Sequence, residues 1–163
     1  MFALIFGLSF LANAQDAKSN QPKGYQFTDI KRLPANSVKD QARAGTCWAW
    51  SGISFFESEM IRMGKEPIDL SAMYIVRHAY SDKATKFVRL HGNMNFAVGG
   101  AFCDVMHVIQ NYGIVPMDVY KGLNYGEPNH AFGEIDDVLA GYINAVIKNS
   151  NKKLSTAWKK GFD

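Results

Sequence analysis

Two residues spaced six apart in the sequence could together carry out nucleophilic acyl chemistry. Gln41 precedes Cys47, and Cys47 opens a long apolar segment typical of a helix. A thiol in the first turn of a helix lies at the positive end of the helix dipole, which favours the thiolate that attacks carbonyl carbon. The Gln41 side-chain amide can donate to the oxygen that then becomes negative, and the Cys47 N–H can supply a second donor. Gly45 allows a tight turn between them.

A second segment with chemical potential is the glycine pair Gly99-Gly100. A backbone without Cβ lets an extended peptide pair with it closely, so the pair suits the wall of a substrate cleft. A glycine pair is also a common turn signal. Both interpretations stay open on the pair alone.

Residues 44–48, Ala-Gly-Thr-Cys-Trp, resemble the sequence around the nucleophile of the papain-like cysteine peptidases. Ala44 stands where papain itself has a disulfide-bonded cysteine. The likeness is therefore greatest to the bleomycin hydrolase and aminopeptidase C branch, which keeps the glutamine, cysteine and tryptophan without that bridge. The resemblance runs from about Val38 to the end of the chain. It implies a nucleophile, an oxyanion donor and two substrate-binding glycines, with two further residues edging a side-chain pocket: Cys47, Gln41, Gly99 and Gly100, then Ala101 and Phe102.

The same resemblance implies an α+β papain-like fold, of which this chain is mainly the α-helical lobe. The β-rich lobe would follow Asp163. In this family the histidine and asparagine that complete the site lie roughly 130 to 150 residues beyond the nucleophile, which places them past Asp163. The chain's own histidines come too early for that role: His78, His91, His107 and His130. We therefore expect an N-terminal fragment of a peptidase domain.

The activity implied is that of an aminopeptidase that hydrolyses peptide bonds through a thiol acyl-enzyme, without metal or cofactor. Its partner would be a peptide substrate, and the complete protein could form a homo-oligomer. A papain-like endopeptidase is one alternative. A non-catalytic peptide-binding module, if the chain truly stops at Asp163, is another. In its simplest form Cys47 would be bridged to Cys103; otherwise Cys103 is expected to be a small core residue.

The start of the chain predicts export. Residues 1–14 are uncharged and mostly apolar and close with Ala12-Asn13-Ala14, the small-x-small pattern of a signal peptidase site. The apolar run is shorter than the about 20 residues of a spanning helix, so no membrane anchor is expected. Residues 15–24 form a polar lead, and residues 25–163 form the peptidase part. The predicted location is periplasmic or extracellular.

Four helices should position the candidate residues. Hydrophobic residues make up 47% of the chain, enough for a core, and the net charge of +3 comes from scattered Lys and Arg, which does not favour nucleic-acid binding. Residues 47–63, a segment starting near residue 70, and residues 101–112 predict the first three helices. Asp69 or Ser71 could cap the second. The fourth has six apolar residues spaced to form one buried face: Ile135, Val138, Leu139, Tyr142, Ile143 and Val146.

Overall fold

A computed structural model describes residues 24–25, 27–150 and 153–163 of the chain. The chain divides into two compact units, Met1–Arg32 and Leu33–Asp163. In the described part of the first unit, the rings of Tyr25 and Phe27 lie 6.4 Å apart, and no helix or strand forms. The predicted signal peptide, residues 1–14, and residues 15–23 of the polar lead lie outside the described residues.

The second unit is built from helices. They are α1 (Cys47–Arg62), α2 (Ala72–Arg89), α3 (Phe102–Tyr112), α4 (Gly133–Ile147) and the short α5 (Ala157–Phe162). Within the described residues, strand-like pairing is limited to two isolated bridges, one parallel between Arg43 and Ala131 and one antiparallel between Leu70 and Pro116. The mostly helical character predicted from the sequence is confirmed. In the same part of the chain, every helix is too short or too polar to cross a bilayer.

The helix ends follow the signals in the sequence. Ser71 caps α2, as one of the two predicted candidates, because its Oγ accepts a hydrogen bond of 3.0 Å from the Tyr74 N–H. At the end of α3, Gly113 has a φ of +83°, a conformation that a residue with a Cβ rarely adopts. These boundaries fix where α2 and α3 emerge from their loops.

The core consists of two hydrophobic clusters that share α2. In the larger one, α1, α2 and α3 pack together around Ile53, Ile75 and Val105. The smaller one joins α2 to α4 through Ala84, Phe87 and Ile143. Because α1 belongs to the larger cluster, the start of α1 is held against the body of the domain.

The predicted buried face of α4 is only partly correct. Ile143 is fully buried, whereas Ile135 and Val138 are 46% and 62% exposed. Ile143 packs on Ala84 and Phe87 of α2, whereas in the first half of α4 Asp136 accepts a hydrogen bond from Tyr80 of α2 at 2.6 Å. The first half of α4 instead lines an open groove of about 740 Å³, together with Val76 and Arg77 of α2.

Candidate active site

Cys47 is the first residue of α1, and its thiol is free and exposed. The preceding residue, Thr46, is buried and locks the first turn. Its carbonyl accepts the Ala49 N–H at 2.9 Å, and its Oγ1 accepts the indole N–H of Trp50 at 3.1 Å. The predicted helix start is confirmed, and the thiol lies at the first residue of a helix that buries one face in the core.

Gln41 lies in the loop before α1 with its side chain anchored. Its Nε2 donates a hydrogen bond of 2.8 Å to the carbonyl of Ala44, and the Ala44 N–H donates back to the Gln41 carbonyl at 3.3 Å. A primary amide carries two hydrogens, so one donor of Gln41 remains uncommitted among the described residues. The side chain of Gln41, the predicted oxyanion donor, is thus held in place by the loop that leads to Cys47.

The chain bends at Gly45, as expected, and it also turns three residues earlier, at Ala42. Ala42 has a φ of +50°, and its N–H donates to the Asp40 carboxylate at 2.8 Å. Gly45 is needed for space rather than for its backbone angle. A Cβ there would lie 2.8 Å from Cγ1 of Val98, closer than carbon atoms can approach without a shift. Sequence alone cannot separate these two uses of glycine.

The glycine pair packs against the first turn of α1. A Cβ on Gly100 would lie 2.5 Å from the Trp48 ring, and the Trp48 indole N–H donates to the Val98 carbonyl at 3.0 Å. At Gly99, by contrast, a Cβ would meet no atom within 4 Å. The structure therefore brings together the two segments that the sequence marked separately, the cysteine turn and the glycine pair.

Lys83, on α2, also contacts this segment, and it was not among the predicted site residues. Its ammonium donates to the carbonyl of Ala97 at 3.2 Å and also to the carbonyl of Gly99. The sequence contains a pattern that could have predicted this role. Lys83 follows Tyr80 by three residues and precedes Phe87 by four, which places it on the apolar stripe of the helix. A charged residue on such a stripe needs a partner.

Of the two residues predicted to edge a side-chain pocket, Phe102 belongs to a cluster of aromatic rings. Phe102 is the first residue of α3 and half-exposed. Its ring stacks on Phe56 with centroids 5.8 Å apart and meets Phe55 edge-on at 5.5 Å. Both partners belong to α1, so this cluster joins the start of α3 to the middle of α1.

The four histidines have other surroundings, and among the described residues none is hydrogen-bonded to Cys47. His107 lies 3.2 Å from the Asp82 carboxylate, and His78 stacks on the ring of Tyr112. His130 is buried against Trp50, with ring centroids 5.7 Å apart, and burial lowers its pKa. His91 lies in the turn after α2.

The second cysteine does not belong to the core. Cys103 is exposed on α3, whereas Val105 and Val108 form the buried face of that helix, so the core assignment was wrong. Cys47 and Cys103 are both free, which contradicts the alternative of a disulfide between them. Among the described residues, no group of His, Cys, Asp or Glu side chains is arranged to hold a metal ion.

An exposed cysteine at the start of a core-packed helix, with a glycine segment against its first turn, is the arrangement expected of a papain-like thiol peptidase. The sequence comparison agrees, since residues 22–156 match the papain family cysteine protease model. The chain belongs to this family. It is also similar to the cathepsin B-like protein CP2 of Giardia intestinalis, with 29% identity over 92 residues, 50% of this chain and 31% of the relative. The chain thus spans under a third of that relative's length.

Proposed function

We propose that this chain carries the nucleophile of an exported cysteine aminopeptidase of the bleomycin hydrolase type, and that the nucleophile is Cys47. The observation that carries the proposal is the free, exposed thiol at the first residue of α1, fixed by the buried cap Thr46. A thiol at this end of a helix meets the positive pole of the helix dipole. The family membership of the chain supports the same chemistry.

The reaction is acyl transfer. The Cys47 sulfur forms a bond to the carbonyl carbon of the peptide, and the carbonyl oxygen becomes negative. The free amide hydrogen of Gln41 and the N–H of Cys47 donate to that oxygen. The C–N bond then breaks, and the amine leaves with the proton that a general base took from the thiol. Water hydrolyses the thioester and restores the thiol.

The glycine pair contributes main-chain hydrogen bonds to the peptide, and the larger share falls to Gly100. The Gly99 carbonyl already accepts from Lys83. Among the described residues, the N–H and C=O of Gly100 have no hydrogen-bond partner. An extended peptide can pair with both groups, in the way that a strand is added to an edge.

The branch assignment is supported by how the loop before α1 is held. Ala44 is buried where papain itself has a bridged cysteine. Here, hydrogen bonds hold the loop in place of a disulfide. The Gln41 side chain donates to the Ala44 carbonyl, and the Arg43 N–H donates to the His130 carbonyl at 2.9 Å. Export rests on the sequence of residues 1–14. The proposed partner is a peptide, and neither nucleic acid nor a membrane anchor is invoked.

A papain-like endopeptidase is the second candidate. The Giardia relative is described as cathepsin B-like, a name outside the bleomycin hydrolase branch. The two candidates share Cys47 and Gln41 and differ in whether the substrate needs a free N-terminus. Comparing the cleavage of a free peptide with that of its N-acetylated form by the full-length protein separates them. Equal cleavage of both would remove the aminopeptidase and leave the endopeptidase.

The first test is the activity of three variants of the full-length protein. Cys47→Ala should abolish turnover of a peptide substrate, whereas Cys103→Ala, the other exposed cysteine, should leave it unchanged. Gln41→Ala should lower kcat by on the order of 10² to 10³, as expected when one oxyanion donor is lost. Turnover that survives in Cys47→Ala would contradict the assigned nucleophile.

A further inference from the structure

Lys83 occupies a position that is costly for a charged group unless the surroundings compensate it. The side chain is half-buried on the apolar stripe of α2, and burial lowers its pKa below 10.5, with opposing effects from the carboxylates of Asp104 and Asp136. Its ammonium also lies 5.6 Å from the ring centroid of Trp48 and 5.7 Å from that of Tyr80. The groups that compensate Lys83 therefore come from α1, α2, α3 and α4 together.

The segment that Lys83 contacts has no regular structure of its own. Residues 97–101 form neither helix nor strand, and two of the five are glycines, which lose much conformational entropy when ordered. The carbonyls of three consecutive residues are nevertheless all held. Lys83 binds the carbonyls of Ala97 and Gly99, and the Trp48 indole binds the carbonyl of Val98 between them.

The downstream end of the segment is held as well. The Asp104 carboxylate accepts the Ala101 N–H at 2.8 Å, and the Asp104 N–H donates to the Ala101 carbonyl at 3.0 Å. Only Gly100 lies between the groups that Lys83 holds and those that Asp104 holds. Its N–H and C=O are the main-chain pair left for a ligand, as far as the described residues show.

We propose that Lys83 is a positioning residue for peptide binding: it turns the carbonyls of residues 97 and 99 into the domain and so presents the main chain of Gly100 to the substrate. The inference rests on the proposed peptidase function. Lys83 itself touches neither the substrate nor the reacting atoms. Its contribution is that the binding segment is ordered before the peptide arrives, which lowers the entropy lost on binding.

The experiment compares two alkylating reagents on the full-length protein with Cys103→Ser as background. A peptidyl chloromethyl ketone needs the peptide-binding segment, whereas chloroacetamide needs only the Cys47 thiol. In both reactions a C–S bond forms and chloride leaves. The measured quantity is the ratio of the two second-order rate constants for alkylation of Cys47.

We expect a high ratio in the parent protein and a fall of about tenfold in Lys83→Met, with the chloroacetamide rate unchanged. A fall of about tenfold in this ratio is the size expected when the binding segment loses the ordering effect of one main-chain hydrogen bond. Lys83→Arg, which restores a cationic donor, should recover most of the ratio. The matched control is Lys86→Met, an exposed lysine one turn along α2, which should keep the parent ratio.

Hydrogen exchange provides a second readout that does not depend on the reagents. Among residues 97–101 the Ala101 amide has an acceptor, the Asp104 carboxylate, and it should exchange faster in Lys83→Met than in Lys86→Met, while the amides of α1 stay protected. If Lys83→Met does not fold, Lys83→Gln, which keeps a shorter donor, takes its place in both measurements.

The outcomes separate the inference from the function on which it rests. A parent protein that shows no preference for the peptidyl reagent contradicts the peptidase proposal, and with it the role of Lys83. A parent preference that survives intact in Lys83→Met contradicts the positioning role alone. Unchanged exchange of the Ala101 amide in that variant does the same.

Discussion

Glu57 shows how one buried charge connects the candidate site to the rest of the domain. Its carboxylate is 1% exposed in the middle of α1, accepts the Leu70 N–H at 2.7 Å, and lies 2.7 Å from the Lys39 ammonium. Lys39 also pairs with Asp69 at 2.8 Å. Burial acts to lower the pKa of Lys39, but the hydrogen bonds to Asp69 and Glu57 outweigh it and hold the pKa above 10.5. Lys39 lies two residues before Gln41, so Glu57 helps to fix the loop that carries the proposed oxyanion donor.

Glu57→Ala should lower the free energy of unfolding by about 1–3 kcal/mol, because it leaves the buried Leu70 N–H without its acceptor and leaves Lys39 with Asp69 alone. The matched control is Glu59→Ala on the same helix. Glu59 pairs with Arg62 at the surface, at 2.7 Å, and such exposed pairs contribute little because solvent screens them. Urea unfolding of both variants measures the difference. Equal, small effects would contradict a structural role for the buried pair.

The buried imidazole of His130 should make the free energy of unfolding depend on pH. Burial lowers the pKa of His130 below 6.5, and its Nδ1 has no hydrogen-bond partner among the described residues. The unfolded chain therefore binds a proton more readily than the folded one. The stability associated with neutral His130 is complete above pH 6.5 and is lost as the pH falls below 6.5 toward the folded value. His78 acts in the same direction, because burial, and secondarily the charge of Arg77, lowers its pKa.

His130→Phe should therefore lose less stability between pH 7.5 and pH 5 than the parent protein does. The ring that packs on Trp50 is kept, and only the titrating group is removed. Urea midpoints at the two pH values measure the effect. His91→Asn, at an exposed turn position with a φ of +50°, serves as the control and should keep the parent pH dependence. A parent-like slope in His130→Phe would show that burial of His130 does not couple folding to protons.

At the scale of elements, the candidate site is a contact between two loops and a helix start. The loop before α1 meets the glycine segment at Gly45 and Val98, and the first turn of α1 meets it at Trp48 and Gly100. Neither loop forms a helix or a strand of its own, so their packing on each other adds to the hydrogen bonds that hold each loop. A change in one loop should thus be compensated by a change in the other.

Gly45→Ala should be destabilising, and Val98→Ala should partly reverse the effect. The new Cβ of Gly45→Ala would lie 2.8 Å from Cγ1 of Val98, and truncating Val98 removes that atom. The single variants and the double variant form a cycle, measured by thermal unfolding and by the alkylation rate of Cys47. We expect Gly45→Ala to lower the free energy of unfolding by about 1–3 kcal/mol. We expect the coupling energy between the two substitutions to be at least about 0.5 kcal/mol. Strict additivity would mean that the two residues do not press on each other.

The sequence predicted elements better than it predicted contacts. The starts of α1 and α2 follow from Cys47 and from the cap Ser71, because a helix boundary depends on a few neighbouring residues. The exposure of Cys103 and of Val138 depends on which neighbour covers each helix face, and spacing along the chain does not specify that neighbour. Lys83 could be noticed on its apolar stripe, but its carbonyl partners lie 14 and 16 residues away in an irregular segment. Patterns among neighbouring residues in the sequence cannot predict these contacts.

At the scale of the whole second unit, Phe96 joins the two hydrophobic clusters. It packs against both, with ring contacts to Tyr80 at 5.4 Å, to Phe87 at 6.0 Å and to Phe162 of α5 at 6.1 Å. It also directly precedes residue 97, where the Lys83 contacts begin. One side chain thus connects the packing of α4 and α5 to the glycine segment beside Cys47.

Phe96→Ala should lower the free energy of unfolding by about 2–4 kcal/mol, near the lower part of the range for aromatic truncations because the ring is only partly buried. It should also speed hydrogen exchange in both clusters at once, since each loses a partner. Val119→Ala is the control and should change neither cluster, because this side chain of the same unit is 70% exposed and belongs to neither. Faster exchange confined to one cluster would show that Phe96 does not join them.

The contact between Trp48 and Gly100 also constrains how this chain can evolve. With the indole ring 2.5 Å from the place of a Gly100 Cβ, any side chain at position 100 is blocked while the tryptophan is present. A lineage that acquires a larger residue at position 100 must first have replaced Trp48 with a smaller one. Across divergent descendants the two positions should then change in a fixed order, with the helix residue always first.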